Sequence, residues 1–276
     1  MNAKPVARWR IISASAPGTA HLEKTLPCQD AHAFCVLPGG ELLAAVSDGA
    51  GSAEHTREGA NLAVEGALAG LNALCQHGTP DDKAGWQAAI TNLFAEVRQE
   101  LASCADAADI PLPAFATTLT CALVTGDWLV VGHIGDGAAI AEDADNVLFL
   151  AACPQRGEYA NETYFLTQPN AAGYTVVYAA RRAVRALALT TDGLLRLAFK
   201  LPGYEPHPRF FHPLFTFTSK ATNLSQTEAE LAAFLASEQV CARTDDDKTL
   251  LLAIRTDSPD GRAVQRTHRR RKDVGV

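Results

Sequence analysis

The sequence predicts an α+β fold in which two antiparallel sheets pack together and helices cover their outer faces. Several short apolar runs follow one another without helices between them, which favours antiparallel pairing. Two long amphipathic helices stand in series after the third of these runs. A further helix and a last apolar strand end the patterned part of the chain. Two sheets with outer helices would bury this much apolar sequence.

Composition indicates a globular protein with a substantial core, since 47% of the 276 residues are hydrophobic and 20% are charged. The net charge of −7 argues against nucleic acid as the main partner. No apolar run approaches the roughly 20 residues needed to span a bilayer, and the first ten residues lack a signal-peptide core. We therefore expect a cytoplasmic protein without a membrane partner. Seven cysteines without a CxxC pair predict buried free thiols rather than a zinc site.

The first part of the chain contains three strands and one long helix. The strands are expected at residues 7–15, 31–37 and 42–47, and the third is a continuous apolar run, typical of a strand covered on both faces. After the glycine-rich segment 49–51, apolar residues at helical spacing predict a helix over 56–76.

The middle of the chain begins with a second long helix, which starts at Asp81 or Asp82 and ends at Cys104. A short connection makes it antiparallel to the first helix. The period then changes to that of short β-branched and apolar segments, which predicts a β-meander. Its strands, and two that follow it, are expected at residues 117–124, 128–134, 137–141, 147–150, 174–178 and 186–190.

The last third returns to mixed structure. Residues 193–200 are expected to be helical, and 201–213, rich in proline and aromatic residues, are expected to form an irregular loop. A helix over 225–237 has the pattern of a capping box, with Ser225 as N-cap and Glu228 three residues later. The final strand is expected at 250–254.

Two regions are predicted from these patterns. Residues 1–256 form a globular domain, and residues 257–276 are polar and unpatterned, which is typical of a flexible tail. The tail is basic between Arg266 and Lys272, and such a short cluster is typical of a solvated terminus; of the two binding roles, docking on an acidic partner is favoured over nucleic-acid binding.

Four acidic stretches, far apart in the sequence, each adjoin an apolar strand. They are Cys28-Gln29-Asp30, Ser47-Asp48-Gly49-Ala50-Gly51-Ser52, Thr190-Thr191-Asp192-Gly193 and Asp245-Asp246-Asp247-Lys248-Thr249. Carboxylates at strand ends are aimed from rigid elements, and only the fold can bring these four together. Such a cluster suits a hard divalent cation, which prefers oxygen ligands. Metal-bearing carboxylate clusters are the working part of many phosphate-ester hydrolases.

Taken singly, each stretch has an ordinary structural explanation. Asp48, Asp192 and Asp30 are typical turn formers, and Gly135-Asp136-Gly137 is a good hairpin turn. The run of three aspartates at 245–247 is typical of a solvated acidic loop. Only the ordered set favours a site over a series of turns.

The ordered set resembles the metal-dependent protein phosphatases of the 2C type, and more narrowly a bacterial branch of them. The resemblance spans about residues 8–255 and implies a four-layer α-β-β-α sandwich with a two-metal centre at one end. The segments that carry it are Cys28-Gln29-Asp30-Ala31, Ser47-Asp48-Gly49-Ala50-Gly51, Thr117-Thr118-Leu119, Val131-Gly132-His133-Ile134-Gly135-Asp136-Gly137, Thr190-Thr191-Asp192-Gly193-Leu194 and Asp246-Asp247-Lys248-Thr249-Leu250.

The resemblance also implies a set of metal ligands for two Mn²⁺ or Mg²⁺ ions. Asp48 would bridge both ions, and the carbonyl of Gly49 would bind one of them. Asp192 and Asp246 would hold the other. Gln29 stands where a glutamate is common in the family, so we expect weaker binding of the second ion.

Further residues receive roles by the same resemblance. Asp30 would orient a water molecule for attack on phosphorus. Asp136 matches an aspartate associated with a third, weaker metal site. Family members with that site often carry a second aspartate where this chain has Arg196, so the third site is expected to be weak or absent.

The phosphate contact departs from the family pattern. Many members have an arginine where this chain has Thr25. Lys24 or His21 would supply the contact to the phosphoryl group instead, and His21 would then be part of the catalytic site. An ordinary surface histidine is the alternative explanation for His21.

The resemblance implies a serine/threonine phosphoprotein phosphatase that hydrolyses its substrate directly with water, with a Ser/Thr kinase or the targets of that kinase as partners. Two alternatives stay open. Thr25, Gln29 and Arg196 favour a degenerate phosphatase fold used as a regulatory or scaffolding module. A phosphohydrolase of small molecules would use the segment 201–215 to shape its pocket.

Overall fold

The computed structural model describes residues 8–51, 53–155 and 163–256. The strands are β1 (Trp9–Ala16), β2 (Ala31–Val36), β3 (Leu42–Ser47), β4 (Leu119–Val124), β5 (Trp128–Ile134), β6 (Ala138–Glu142), β7 (Leu148–Ala152), β8 (Val176–Arg181), β9 (Ala186–Thr190), β10 (Phe199–Lys200), β11 (Glu205–Pro206) and β12 (Lys248–Arg255). The helices are α1 (Thr19–Glu23), α2 (Thr56–His77), α3 (Lys83–Ala108), α4 (Ala171–Tyr174), α5 (Leu195–Ala198), α6 (Pro208–Lys220), α7 (Leu224–Leu235) and α8 (Glu238–Cys241). The predicted tail, 257–276, lies outside the described residues.

Two five-stranded antiparallel sheets form the centre of the protein. The first sheet has the order β1-β12-β9-β6-β7, and the second has the order β2-β3-β4-β5-β8. The strands β10 and β11 form a separate two-stranded ribbon. Because β1 pairs with β12 along its whole length, the first and last strands of the domain lie side by side.

The layers are those of the predicted four-layer sandwich. Helices α2 and α3 cover the outer face of the second sheet, and α6 and α7 cover that of the first. Strand β3 shows why its sequence is apolar throughout: Leu43 faces the helices, whereas Leu42 and Ala44 face the other sheet. The predicted fold class is confirmed.

The predicted β-meander is wrong between β5 and β6. Strand β5 pairs with β4 and β8 in the second sheet, whereas β6 pairs with β7 and β9 in the first. Gly135-Asp136-Gly137 therefore forms a crossing between sheets and not a hairpin turn. Gly135 has φ 119, a conformation that favours glycine. The crossing carries Asp136 to one end of the sandwich.

The predicted irregular loop over 201–213 is wrong from Pro208 onwards, where α6 begins. Proline is compatible with the first turn of a helix because its missing N–H has no intrahelical partner there. Phe211, Phe215 and Thr218 follow at helical spacing and are buried against the first sheet. Burial of this apolar face outweighs the unfavourable effect of Pro213, which lies inside the helix.

The predicted capping box at Ser225 is also wrong. Helix α7 begins one residue earlier, and its N-cap is Asn223, whose side chain accepts a hydrogen bond from the backbone N–H of Gln226. Asparagine is at least as good an N-cap as serine, and Ser225 is exposed in the first turn.

Other boundaries differ by a few residues. Asp82 is the N-cap of α3, as predicted, but the helix continues to Ala108. The strand expected at 174–178 is β8, which starts two residues later because α4 ends at Tyr174. The helix expected over 193–200 is split into a 3-10 turn, α5 and β10.

Two predictions from composition, on membrane helices and on cysteines, can be compared with the structure. None of the helices in the described ranges is long and apolar enough to cross a membrane. All seven cysteines are free, as predicted, but of these only Cys121 is buried; Cys35 and Cys153 are exposed and the other four are half-buried.

Candidate metal centre

One end of the second sheet brings two of the acidic stretches together. Ala31 at the start of β2 pairs with Ser47 at the end of β3. Asp30 precedes the first of these residues and Asp48 follows the second. The two side chains therefore emerge side by side at the same end of the sheet.

The first sheet presents its acidic stretches at the matching end. Thr190 at the end of β9 pairs both with Ala138 at the start of β6 and with Leu250 near the start of β12. Asp192 lies just beyond β9, and Asp136 lies just before β6. The loop before β12, with its three aspartates, reaches the same place.

Three carboxylates from different parts of the chain form the centre of the site. Oxygen atoms of Asp48, Asp136 and Asp192 all lie within 4.8 Å of one another. Burial raises the pKa of all three, and the charges of neighbouring aspartates, Asp246 among them in each case, raise it further. For Asp48 and Asp192 the pKa lies well above its usual range. Such a cluster of like charges is stabilised by a cation.

Four buried oxygen atoms around this centre lack a hydrogen-bond partner among the residues that the structure describes. They are Gln29 Oε1, Asp30 Oδ1, Asp136 Oδ1 and Asp192 Oδ1. Buried polar atoms in folded proteins nearly always have a partner, and an exception calls for an explanation such as an ion. The atoms are all oxygens, the ligand type that Mg²⁺ and Mn²⁺ prefer. The residues present therefore fit a divalent cation.

The Asp48 segment is fixed by its neighbours at the start of β4. The Asp48 N–H donates to Thr118 Oγ1 at 3.0 Å, and the Asp48 carbonyl accepts from Thr117 Oγ1 at 2.8 Å. A side chain at Gly49 is excluded, since a Cβ there would lie 2.9 Å from the Gln29 carbonyl oxygen. The close backbone approach explains why glycine follows Asp48.

Asp30 is held in place by two threonines. Thr191 Oγ1 donates to Asp30 Oδ2 at 2.8 Å and accepts from the backbone N–H of Thr249 at 3.0 Å. Burial raises the pKa of Asp30 to about 7, while hydrogen bonds from Thr249 and Thr191 act in the opposite direction. The sequence analysis gave neither threonine a role, although both lie in the acidic motifs.

Asp246 lies beside the three-carboxylate group without being part of it. Its charge contributes to the raised pKa of Asp48, Asp136 and Asp192, so it faces the same space. Asp246 is exposed at the edge of the site, and its partial burial together with the charge of Asp247 raises its pKa.

The comparisons with known proteins agree with this geometry. The family described as Protein phosphatase 2C matches residues 17–236. Serine/threonine-protein phosphatase 3 of Escherichia coli (strain K12) is 36% identical over an alignment of 253 residues that covers 89% of this chain and 98% of that protein. The chain belongs to the protein phosphatase 2C family. Members are metal-dependent phosphatases, so membership confirms the predicted enzyme class, protein-serine/threonine phosphatase, and the predicted cofactor, Mn²⁺ or Mg²⁺.

Solved structures of other bacterial phosphatases share the fold. Serine/threonine phosphatase Stp1 from Staphylococcus aureus has a TM-score of 0.61 at 13% identity, covering 92% of this chain and 98% of that one. The catalytic domain of PstP, solved in complex with two manganese ions, has a TM-score of 0.56 at 18% identity, covering 91% and 100%. At these identities the likeness establishes the architecture.

Two departures from the protein phosphatase 2C pattern do not disturb the cluster. Arg196 is exposed on α5, and the carboxylates of Asp48, Asp136 and Asp192 still converge without a further aspartate. Gln29 is buried with an unpartnered side-chain oxygen, so it still offers an oxygen ligand.

The two predicted phosphate contacts differ in their surroundings. His21 is largely buried, and its Nδ1 lies 2.9 Å from Asp247 Oδ1. Lys24 is exposed beyond α1, and its side chain makes no hydrogen bond or ion pair within the described ranges. Thr25, which replaces the arginine of many members, has φ 54 in the same exposed turn. Only His21 is held by the structure.

The interpretation of residues 245–247 as a solvated acidic loop is wrong for Asp247, which is 2% exposed. The segment lies between two glycines: Cβ atoms at Gly18 and Gly193 would lie 2.2 Å and 1.9 Å from backbone oxygens of Asp245 and Asp247. The buried Lys248 donates to the carbonyls of Pro17 and Asp246 at 3.1 and 3.2 Å. Sequence reasoning missed Asp247 because the three aspartates look alike.

Proposed function

We propose that the protein hydrolyses phosphoserine and phosphothreonine esters of proteins directly with water, at a binuclear Mn²⁺ or Mg²⁺ centre. The observation that carries this proposal is the set of unpartnered buried oxygens around three converging carboxylates. Two divalent cations bound there would polarise the phosphoryl oxygens and activate a water molecule for in-line attack. The manganese ions reported for the PstP catalytic domain support the same number.

The ligand assignment follows the geometry and the family pattern together. We assign Asp48 to both ions, the Gly49 carbonyl to one of them, and Asp192 and Asp246 to the other. Gln29 would complete the set through Oε1, which has no other partner in the described structure. An amide oxygen carries no formal charge, so we expect its ion to be the more weakly held of the two.

Two further carboxylates complete the proposed site. Asp30, whose Oδ2 is occupied by Thr191, has Oδ1 free to accept a hydrogen bond from the attacking water and so orient it. Asp136 receives a hydrogen bond from Thr163 at 2.6 Å on Oδ2, and its Oδ1 faces the cluster without a partner. We assign Asp136 to a third, weaker cation.

His21 is the better candidate for contact with the phosphoryl group. Its ring lies beside the acidic loop and is fixed there by Asp247, whereas the side chain of Lys24 is exposed and makes no such bond to a described residue. A fixed donor stabilises the transition state without the entropy loss of ordering a mobile side chain.

Phosphorylated proteins are the substrates that this proposal implies, and a Ser/Thr kinase or its targets are the partners we infer from the family resemblance. A cytoplasmic location stays a prediction from the sequence. Within the segment 201–215, Phe211 and Phe215 in α6 are buried against the first sheet, which favours a role in covering the core over one in a small-molecule site. The unpartnered ligand oxygens likewise favour an enzyme over a scaffolding module.

The proposal is tested by the hydrolysis of a phosphothreonine peptide with and without Mn²⁺. We expect metal-dependent turnover in the wild type and a loss of at least about 100-fold in Asp48→Ala, the scale on which loss of transition-state stabilisation acts. Asp106→Ala, an exposed change on α3, is the matched control and should keep full activity. A folded wild type that binds Mn²⁺ but shows no turnover would instead favour the scaffolding module.

A further inference from the structure

The buried carboxylate of Asp247 accepts three hydrogen bonds at the edge of the site. Its Oδ1 accepts from the backbone N–H of Gly18 at 2.6 Å and lies 2.9 Å from His21 Nδ1, and its Oδ2 accepts from the backbone N–H of Gln29 at 2.6 Å. An ionised carboxylate only accepts hydrogen bonds, so Nδ1 of His21 is the donor. Asp247 thus joins the chain before α1, the ring of His21 and the residue before Asp30.

The hydrogen bond determines which ring nitrogen of His21 points towards the site. With the proton on Nδ1, the opposite nitrogen, Nε2, is turned away from Asp247. A Cβ placed on Gly51 would lie 3.6 Å from His21 Nε2 and 4.0 Å from Gln29 Oε1. The two side chains therefore border one gap, which the missing side chain of Gly51 leaves open. The gap lies in the loop that follows Asp48.

Within the part of the chain that the structure describes, Asp247 provides the one side-chain hydrogen bond to this ring. Helix α1 has only five residues, and residues 22–27 after His21 are all exposed. Asp247, in contrast, lies on a rigid segment, because Gly193 packs against its carbonyl oxygen and Lys248 is anchored on both sides. The ring of His21 is thus held by a carboxylate on a rigid segment.

We propose that Asp247 is a positioning residue, which holds His21 so that Nε2 contacts an oxygen of the phosphate ester bound at the carboxylate cluster. The proposal rests on the phosphatase function proposed above and adds to it the residue that orders the phosphate contact. Partners that orient a group in a site through hydrogen bonds typically affect affinity or activity about 10–100-fold when removed.

Two substitutions of His21 separate contact with the ester from mere support of the fold. His21→Asn keeps an N–H near the place of Nδ1 and has no atom at the place of Nε2. His21→Ala loses both. We expect His21→Asn to unfold at the wild-type temperature but to lose about 10–100-fold in kcat/KM for a phosphothreonine peptide at saturating Mn²⁺. Wild-type kcat/KM in His21→Asn would overturn the proposal.

A double-mutant cycle tests whether Asp247 acts through His21. Asp247→Asn should lower kcat/KM in the wild-type background. In the His21→Ala background the same change should lower kcat/KM by less than about a further 3-fold, since the effects of residues that act together are not additive. The same loss in both backgrounds would show that Asp247 acts independently. Asp245→Asn, the same charge change at an exposed neighbour, is the matched control. If Asp247→Asn does not fold, the His21→Asn result decides alone.

A readout that does not depend on turnover comes from the histidine ring itself. In the Mg²⁺-loaded protein, ¹⁵N spectra of the neutral ring should show His21 protonated on Nδ1, and Asp247→Asn should abolish that preference. A neutral His21 protonated on Nε2 in the wild type would contradict the proposal. Absence of turnover in the wild type would instead remove the phosphatase function, so the two failures are distinguishable.

Discussion

The carboxylates of Asp48 and Asp192 offer oxygen atoms no more than 4.8 Å apart, although the two residues end strands in different sheets. Burial raises the pKa of both groups well above the usual range. The charges of Asp30 and Asp192 raise the pKa of Asp48 further, and those of Asp136 and Asp246 raise the pKa of Asp192 further. The folded protein therefore brings together charges that repel in the absence of a cation. This repulsion lowers the stability of the metal-free protein, and the same cluster of carboxylates forms a binding site for a cation.

Asp192→Asn should stabilise the metal-free protein. Asparagine has nearly the same shape and removes a buried charge that repels Asp48 and Asp136. We expect the melting temperature in a chelator to rise by a few degrees, since about 1 kcal/mol shifts a domain of this size by about 2–4 °C. The same variant should lose the stabilisation that Mn²⁺ gives the wild type. Calorimetry with chelator and with Mn²⁺ checks both, and a lower melting temperature in chelator would contradict the prediction.

The metal-free protein should lose stability as the pH rises towards neutral. The pKa of Asp30 is about 7 in the folded protein against an ordinary 3.8, so the folded state binds more protons between these values. The contribution of protonated Asp30 to the free energy of unfolding is fully present below about pH 4 and is lost as the pH rises through about 7. Bound Mn²⁺ should reverse the trend, because the metal competes with protons for the same oxygens.

Comparison with Asp30→Asn isolates this group. Urea unfolding in a chelator should be measured at about pH 5 and about pH 8. The free energy of unfolding of the variant should rise relative to that of the wild type as the pH rises, because the variant has no carboxyl to ionise at this position. An unchanged difference between the two proteins across this range would show that Asp30 does not titrate as described.

Gly49→Ala should destabilise the protein and weaken metal binding. A Cβ there would lie 2.8 Å from Thr56 Cβ and 2.9 Å from the Gln29 carbonyl oxygen, so the loop that carries Asp48 must shift. Forcing such a contact costs about 1–3 kcal/mol. Gly126→Ala is the control, because a Cβ at Gly126 meets nothing within 4 Å. Mn²⁺ titration calorimetry and thermal unfolding measure the two effects, and wild-type metal affinity in Gly49→Ala would contradict the prediction.

Lys248→Met should lower the affinity for Mn²⁺ while leaving the packing of the core largely intact. The side chain is fully buried and donates to the carbonyls of Pro17 and Asp246, which tie the loop before β12 to the end of β1. Methionine fills similar space but leaves both carbonyls without this partner, at about 1–3 kcal/mol each. Lys200→Met, at an exposed position, is the control. Full Mn²⁺ affinity in Lys248→Met would show that the loop holds Asp246 without the lysine.

The sequence predicted the fold class and the convergence of Asp48 with Asp192, because strand ends and hydrophobic periods are local signals. Asp136 was expected near them only from the family resemblance. The sequence could not predict that Asp136 lies on a crossing between sheets. A hairpin turn and a crossing have the same glycines and the same flanking apolar runs, and only the pairing of distant strands distinguishes them.

Asp247 shows a second kind of limit. Three consecutive aspartates have the same chemistry, and no period tells which of them is buried. The answer depends on Gly18 and Gln29, more than two hundred residues earlier in the chain, whose N–H groups the carboxylate accepts. The role of Pro208 as the start of α6 was missed for a related reason, since the burial of Phe211 and Phe215 is decided by the first sheet.

Anomalous diffraction from crystals grown with Mn²⁺ tests the central claim most directly. The account predicts two manganese peaks at the end of the sandwich, with the Asp48 carboxylate in contact with both and Asp192 and Asp246 in contact with one. Crystals of protein that is active with Mn²⁺ but shows no manganese beside Asp48 and Asp192 would contradict it.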